Sequence, residues 1–365
     1  MDTNFTIIGG GVVGMSLAWG LLKHGHRVTI LDGDDGSYRA SRGNFGLVWV
    51  QGKGAKAPHY ARWTRLSASL FADFVEELTE TTGIPLGLQQ NGGFDYHFSE
   101  ESLARTLATY EKLKQDLGGD YPFEVLRGED LRKEEPTVGP EVQAAILHHE
   151  DGHLNPLKLL HALHRDVQRM GGIYRPNHQV VTVSKTDHFT LTCANGETFH
   201  SERVILSAGL GALALGPSMG FVTPLEPERG QVLITEKLPP MLRRPSVTAR
   251  QVDEGGIQIG ATNERVGFQN NTTTRGLASL AAEAIRTHPF LAKTKLVRSW
   301  GALRIMSRDG LPIYQQSPTM PGAYLVTCHS GITLAAVHGK RLPGWFDQKD
   351  DAPNLEKFSE DRFRL

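Results

Sequence analysis

Three glycines and one acid carry the clearest chemistry in this sequence. Gly9, Gly11 and Gly14 follow directly on the apolar run Phe5-Thr6-Ile7-Ile8 and lead into helix formers over residues 15–23. Gly9 allows a tight turn, Gly11 lets the backbone approach a pyrophosphate, and Gly14 lets a helix lie close against a strand. Unpaired N–H groups at the helix start, around Val12 and Val13, would then face the diphosphate, where the helix dipole favours negative charge. A second apolar run over 27–31 ends on Asp32, 21 residues beyond Gly11. That spacing suits a carboxylate accepting hydrogen bonds from an adenosine ribose, with Gly33 beside it. Strand, glycine turn, helix, strand and acid together predict a bound dinucleotide. The same stretch read as a signal peptide lacks a basic leading region and a small-residue cleavage site.

Other reactive side chains are less organised. His148, His149, His153, His161 and His164 cluster in sequence, but no cysteine or acid completes a metal-ligand spacing, so no metal is expected. His161 and His164 suit a solvated helix face. Cys193 and Cys328 cannot form a metal framework and fit a reducing compartment, hence a cytoplasmic location. A formal net charge of −1 gives no bulk field favouring nucleic acid or anionic membrane. No apolar run approaches the roughly 20 residues of a membrane span. With 39% hydrophobic and 22% charged residues, 365 in all, the chain reads as a soluble globular protein of two units, or one with an insertion.

Further elements must position the glycine turn and its acid. After a polar loop over 33–39 comes a small, glycine-bearing stretch over 40–49, placed to close over a cofactor or simply to lead into a strand. Trp63, Leu66, Leu70, Phe74 and Leu78 recur at helical spacing and read as core. Residues 92–98 alternate as a strand, and Ser99 caps a helix carrying Leu103, Leu107, Tyr110, Leu113 and Leu117. Asn155-Pro156 starts a helix that stops at Gly171-Gly172. Strands over 180–184 and 189–193 precede an Asn195-Gly196 hairpin turn. The run Arg203 through Leu206 is a buried strand ending in Ser207-Ala208-Gly209, small enough for backbone to reach a ligand at a parallel sheet's carboxyl edge. Residues 224–298 alternate antiparallel strand and turn before a helix from about 274. A last strand over 323–328 turns through His329-Ser330-Gly331 into a helix expected over 332–339, whose positive end would point at a ligand.

These pieces, in order, resemble the D-amino-acid-oxidase-like flavoproteins, glycine and sarcosine oxidase among them. Matching segments are the N-terminal fingerprint, residues 41–48, residues 204–209, Arg229-Gly230-Gln231 and residues 259–268. Trp300-Gly301-Ala302-Leu303-Arg304, Asp309-Gly310-Leu311-Pro312, residues 329–335 and Arg362-Phe363 complete the set. Residues 46–54 look most like the β-type flavoprotein subunits of opine oxidases, D-hydroxyproline dehydrogenase and hydrogen cyanide synthase. The resemblance implies FAD, held non-covalently because no cysteine lies near the Asp-Gly-x-Pro piece on its upstream side, where some sarcosine oxidases attach their flavin. It also implies partner subunits contributing further flavin (FMN) and an iron–sulfur cluster. The turn at Cys328-His329-Ser330-Gly331-Ile332 is shorter than the family's usual Gly-His-Ser-Gly-His-Gly.

The implied fold class is α/β: a discontinuous Rossmann-like FAD-binding domain over 1–85, 142–222 and 299–365. A second α+β substrate domain, on a mostly antiparallel sheet, takes 86–141 and 223–298. Cofactor contacts expected beyond the fingerprint are Ser41, Arg42, Asn44, Gly46 and Leu47, then Val180 and Val181 at adenine, then Ala208 and Gly209. Ser330, Gly331, Ile332, Thr333 and Arg304 follow at the flavin. Arg304 is also the expected substrate-carboxylate anchor, since a guanidinium makes two parallel charge-assisted bonds. Arg298 and Arg308 compete, and a structural ion pair is the plain alternative. His329 is placed in the site, with a merely hydrogen-bonded histidine as its alternative. His59 and Tyr60 follow residues 52–58 without an assigned role. The expected reaction is oxidation of a C–N bond beside a carboxylate, by hydride transfer to flavin N5, in a catalytic subunit that passes electrons to partners. Alternatives are a stand-alone oxidase yielding hydrogen peroxide, a nicotinamide-dependent dehydrogenase, and a non-catalytic flavin subunit.

Overall fold

The computed structural model describes residues 3–33 and 40–364; most of the polar loop after Asp32 lies outside them. The strand Phe5–Ile8 is buried along its whole length, as a strand flanked and covered on both faces must be. It lies in a six-stranded sheet ordered Ile313–Gln316, Ala323–Thr327, Arg203–Leu206, Phe5–Ile8, Val28–Leu31, Ile173–Arg175. Pairing is parallel except at the Ile313–Gln316 edge. Ile8 stands opposite both Leu31 and Leu206, so Gly9, Asp32 and Ser207 leave the sheet side by side at its carboxyl edge.

The helix Val12–Lys23 follows at once and is buried along most of its length. A Cβ on Gly20 would stand 2.0 Å from the Gly339 carbonyl, so this helix crosses the Ala335–Lys340 helix with backbone in contact. One polar pair sits in that core: Trp19 Nε1 donates to the buried Asp166 carboxylate at 2.8 Å. The apolar stripe over 62–82 belongs to two helices, Pro58–Ser69 and Phe71–Thr82, which hinge at Leu70 and bury Trp63, Phe74 and Leu78.

A second, antiparallel sheet is ordered Ala249–Gln251, Gly256–Gly260, Leu225–Lys237, Leu296–Ser307. A three-stranded sheet joins Gly93–His97, Ala144–His148 and Phe123–Arg127. The Rossmann-like sheet with a mostly antiparallel companion is therefore the architecture observed. Two expected domain edges divide what hydrogen bonds join. Residues 296–307 form one strand, paired from Leu225 to Thr235, so an edge at 298/299 cuts a ladder. An edge at 141/142 likewise separates Ala144–His148 from both of its partners. No described helix is long and apolar enough to cross a membrane.

Candidate active site

A cavity of about 600 Å³ opens at the carboxyl edge of the parallel sheet. Gly9, at φ +112°, turns the chain where a Cβ would meet the Ser207 carbonyl at 2.5 Å. A Cβ on Gly14 would stand 2.0 Å from the Gly9 carbonyl, so the helix start presses on the turn. Val12 N donates to Ser41 Oγ at 2.9 Å, which brings the 40–49 segment against the helix start. Asp32 is buried and accepts from Gly33 N at 3.1 Å and from the Tyr174 hydroxyl at 3.2 Å. Gly9, Gly11, Val13, Asp32, Gly33, Ser41, Val180, Val181, Ala208 and Gly209 all line this cavity. Arg42 is exposed and stands outside both cavities. His164 does not face solvent as its helical position suggested: its ring lies against the Gly10 carbonyl at 3.1 Å and stacks edge-on with Tyr174.

A second cavity, about 330 Å³, shares Ala40 and Leu303 with the first and lies between the two sheets. One wall is the 43–49 segment, which carries Asn44 and Leu47. Asn44 Oδ1 accepts from Gly46 N at 2.7 Å and shapes the bend. Trp300 Nε1 donates to the Gly43 carbonyl, Arg250 Nε to that of Phe45, and Thr333 Oγ1 to that of Leu47. Three distant elements thus hold one short wall.

Arg304 lies on the opposite wall. The antiparallel register places it across from Glu228, and its Nη1 donates to Glu228 Oε1 at 3.1 Å and to the Thr262 carbonyl at 2.8 Å. Its Nε and Nη2 make no hydrogen bond to any described residue, which leaves a two-pronged donor edge. Burial lowers its pKa and Glu228 offsets part of that; a guanidinium carries its charge in proteins regardless. Arg298 and Arg308 are exposed and line neither cavity.

His329 and Ser330 complete the second cavity. Burial, then Lys53, then Arg304 lower the His329 pKa to about 3, so the imidazole is neutral at physiological pH. The sequence reading missed Lys53. Its Nζ donates to Ser330 Oγ, which also accepts from the Tyr60 hydroxyl at 3.0 Å. Burial lowers the Lys53 pKa to about 8, partly offset by Cys328 and Asp151. The available signal was Gly52-Lys53-Gly54: both glycines sit at positive φ, +75° and +73°, and turn the lysine back toward the cavity. Asp151, also missed, holds this segment from behind by accepting from Val50 N and Gln51 N.

The helix expected over 332–339 starts later. It is Ala335–Lys340, preceded by a turn closed by Leu334 N on the Ser330 carbonyl at 2.9 Å. Six residues make a weak dipole, so the positive charge at this end of the cleft is that of Lys53. Ile332 and Thr333 line the cavity, and Gly331 packs beside Val12 and Val13.

Comparison with known proteins bears on this cleft. The profile of the FAD dependent oxidoreductase (DAO) family matches residues 4–343. The chain belongs to that family. It is 41% identical over 363 residues to an opine oxidase subunit of Rhizobium meliloti, covering 99% of this chain and 98% of that one. It is 43% identical over 338 residues to an opine oxidase subunit of Agrobacterium tumefaciens (strain Ach5), covering 92% and 91%. In fold it is similar to the crystal structure of glycine oxidase from Geobacillus kaustophilus, with a TM-score of 0.90, 24% identity and 98% of each chain covered. The residues present fit FAD. A glycine-lined helix start that a Cβ would fill, a buried carboxylate after the second strand and two adjoining cavities suit its pyrophosphate, ribose and ring system. Among the described residues of this FAD dependent oxidoreductase no His, Cys, Asp and Glu group is placed to hold a metal ion.

Proposed function

We infer that the chain oxidises the C–N bond of an amino-acid-type substrate next to its carboxylate, as the catalytic flavoprotein subunit of a multi-subunit dehydrogenase. The observation that carries this reading is the free donor edge of Arg304 in a cavity adjoining the dinucleotide cleft. Full-length similarity to two opine oxidase subunits supports the subunit role and an opine-like or D-proline-like substrate. FAD, when bound, supplies the two-electron acceptor for the hydrogen leaving the substrate α-carbon.

The chain's own residues bind and orient. Arg304 Nε and Nη2 hold the carboxylate in a fixed plane, which sets the α-carbon's distance from the ring-system wall. Neutral His329 accepts or donates a hydrogen bond without adding charge. The 43–49 wall, fixed by Trp300, Arg250 and Thr333, excludes water from one face. No strong base is required when the amine arrives neutral.

The proposed FAD unit takes residues 1–85 and the sheet strands around 173–222 and 313–365, and the substrate unit takes 86–148 and 223–307. Partner subunits would carry FMN and an iron–sulfur cluster. Cys193 and Cys328, both free and buried, support a reducing cytoplasmic setting. The competing reading is a stand-alone oxidase, favoured by the glycine oxidase likeness in fold. Reduction under anaerobic conditions by D-proline, cis-4-hydroxy-D-proline, glycine, sarcosine, octopine or nopaline, followed by admission of air, separates them. Slow reoxidation supports a partner-dependent dehydrogenase; fast reoxidation with peroxide makes the chain an oxidase.

A further inference from the structure

Two side chains from outside the glycine fingerprint stand behind its turn. Tyr174 lies on Ile173–Arg175, the outermost strand of the parallel part of the sheet, level with Ile30 of Val28–Leu31. His164 comes from the helix Pro156–Arg169, which leads into that strand. The two rings meet edge to face, with centroids 4.5 Å apart and planes at 88°. Neither residue lines the first cavity, so each can act on a bound dinucleotide only through another group.

That group is Asp32. The Tyr174 hydroxyl donates to Asp32 Oδ2 at 3.2 Å while Gly33 N donates to Oδ1 at 3.1 Å, so both carboxylate oxygens are oriented. The backbone is gripped from the same side: Asp32 N donates to the Arg175 carbonyl at 3.0 Å, and His178 N donates to the Asp32 carbonyl at 2.6 Å. His164 Nε2 lies 3.1 Å from the Gly10 carbonyl, and because a carbonyl only accepts, that nitrogen carries the proton. The same packing decides residue 10. The Gly-x-Gly-x-x-Gly pattern leaves that position open, yet a Cβ on Gly10 would stand 2.6 Å from Tyr174 Cε2 and 3.0 Å from Asp32 Oδ2. Gly10, Asp32 and Tyr174 therefore pack as one unit, with His164 fixing both the turn and the tyrosine ring.

We propose that Tyr174 is a positioning residue for the adenosine half of FAD: its hydroxyl fixes the plane in which the Asp32 carboxylate meets the ribose. This rests on the reading of Asp32 as the ribose acid and assigns the residue that aims it. A carboxylate held in its bound orientation loses less freedom when the ribose hydroxyl arrives, so the contact is stronger than a mobile acid would make. Tyr174 reaches this acid across 142 residues, from an edge strand outside the strand–helix–strand unit.

The test titrates the full-length chain, freed of flavin, with FAD and with an FAD analogue whose adenosine lacks the 2′-hydroxyl. Binding is read from the flavin fluorescence, without turnover. Wild type should bind FAD about 10- to 100-fold more tightly than the deoxy form, the worth of one hydrogen bond to a charged group. Tyr174→Phe keeps the ring against Gly10 and His164 and removes only the hydroxyl. It should weaken FAD about 3- to 10-fold and leave the deoxy form within about twofold of wild type, which narrows the preference. In an Asp32→Asn background the same change should alter FAD affinity by less than about twofold, since the group that Tyr174 aims has lost its charge. Tyr174→Phe that weakens both ligands alike, that leaves FAD affinity unchanged, or that acts equally in both backgrounds would overturn the proposal. If wild type binds the two ligands equally, the reading of Asp32 at the ribose fails first, and the proposal with it.

Discussion

Replacing Arg304 with lysine isolates the geometry of its guanidinium from its charge. In the wild type, Nη1 is committed to Glu228 and the Thr262 carbonyl, and Nε and Nη2 are left for a carboxylate. A lysine at 304 can still neutralise Glu228, so the cross-strand pair survives and the fold is retained. It cannot present two parallel donors as well, so at least one charge-assisted bond to the ligand is lost. Such a bond contributes about 1.5–3 kcal/mol, which corresponds to roughly 10- to 150-fold in Kd. Arg304→Ala removes both bonds and also strands the Glu228 carboxylate, whose side chain is only 18% exposed. That variant should lose detectable ligand binding and about 2 kcal/mol or more of stability. The assay is a titration of the flavin spectrum with methoxyacetate, an unreactive ether with one carboxylate, alongside urea denaturation of each variant. Arg304→Lys binding methoxyacetate within about threefold of wild type would refute the carboxylate role.

Three further outcomes follow from other parts of the molecule. Gly14→Ala places a Cβ 2.0 Å from the Gly9 carbonyl, so the helix start must shift; FAD retention on a desalting column should fall sharply. Asp151→Asn should cost under about 1 kcal/mol at pH 7, because burial raises the wild-type carboxyl to about 8 and keeps it mostly protonated, whereas Asp151→Ala strands two buried N–H groups at about 1–3 kcal/mol each. Equal cost of the two in urea denaturation at pH 7 would contradict this. Burial lowers His148, His153 and His338 to about 3, so the unfolded chain binds protons that the fold refuses. Their contribution is fully present above pH 6.5 and lost as pH falls toward 3, about 1.4 kcal/mol per pH unit for each group. Urea midpoints should therefore drop between pH 7 and pH 5.5; unchanged midpoints would show that these histidines titrate normally.

What the sequence disclosed was what local spacing controls. Gly9, Gly11, Gly14 and Asp32 lie within one strand–helix–strand unit, so their relation is written in 28 consecutive residues from Phe5 to Asp32. The return of the parallel sheet at Arg203 was legible because its apolar run ends in small residues. The contacts of Arg304 were not, because its pairing with Glu228 depends on antiparallel register across 76 residues. Lys53 meets Ser330 across 277 residues, and no periodicity in either segment announces that contact. His164 sits at a helical position that looks solvated, yet tertiary packing turns it onto Gly10 and Tyr174. The helix after Gly331 was expected too early because glycine and apolar residues suit a tight turn as well as a helix start. Nor does local pattern show how strands pair across the expected domain edges: Leu296–Ser307 continues across 298/299, and Ala144–His148 pairs with strands on the far side of 141/142.

The most direct test of the central claim is anaerobic addition of octopine, nopaline and D-proline, one at a time, to the FAD-loaded chain, with the visible spectrum recorded at each equivalent. An amine-oxidising, carboxylate-binding cleft predicts loss of the oxidised flavin absorption with one of them, complete at one equivalent. A chain that takes up FAD but keeps its oxidised spectrum with all three, and with glycine and sarcosine, would contradict the account.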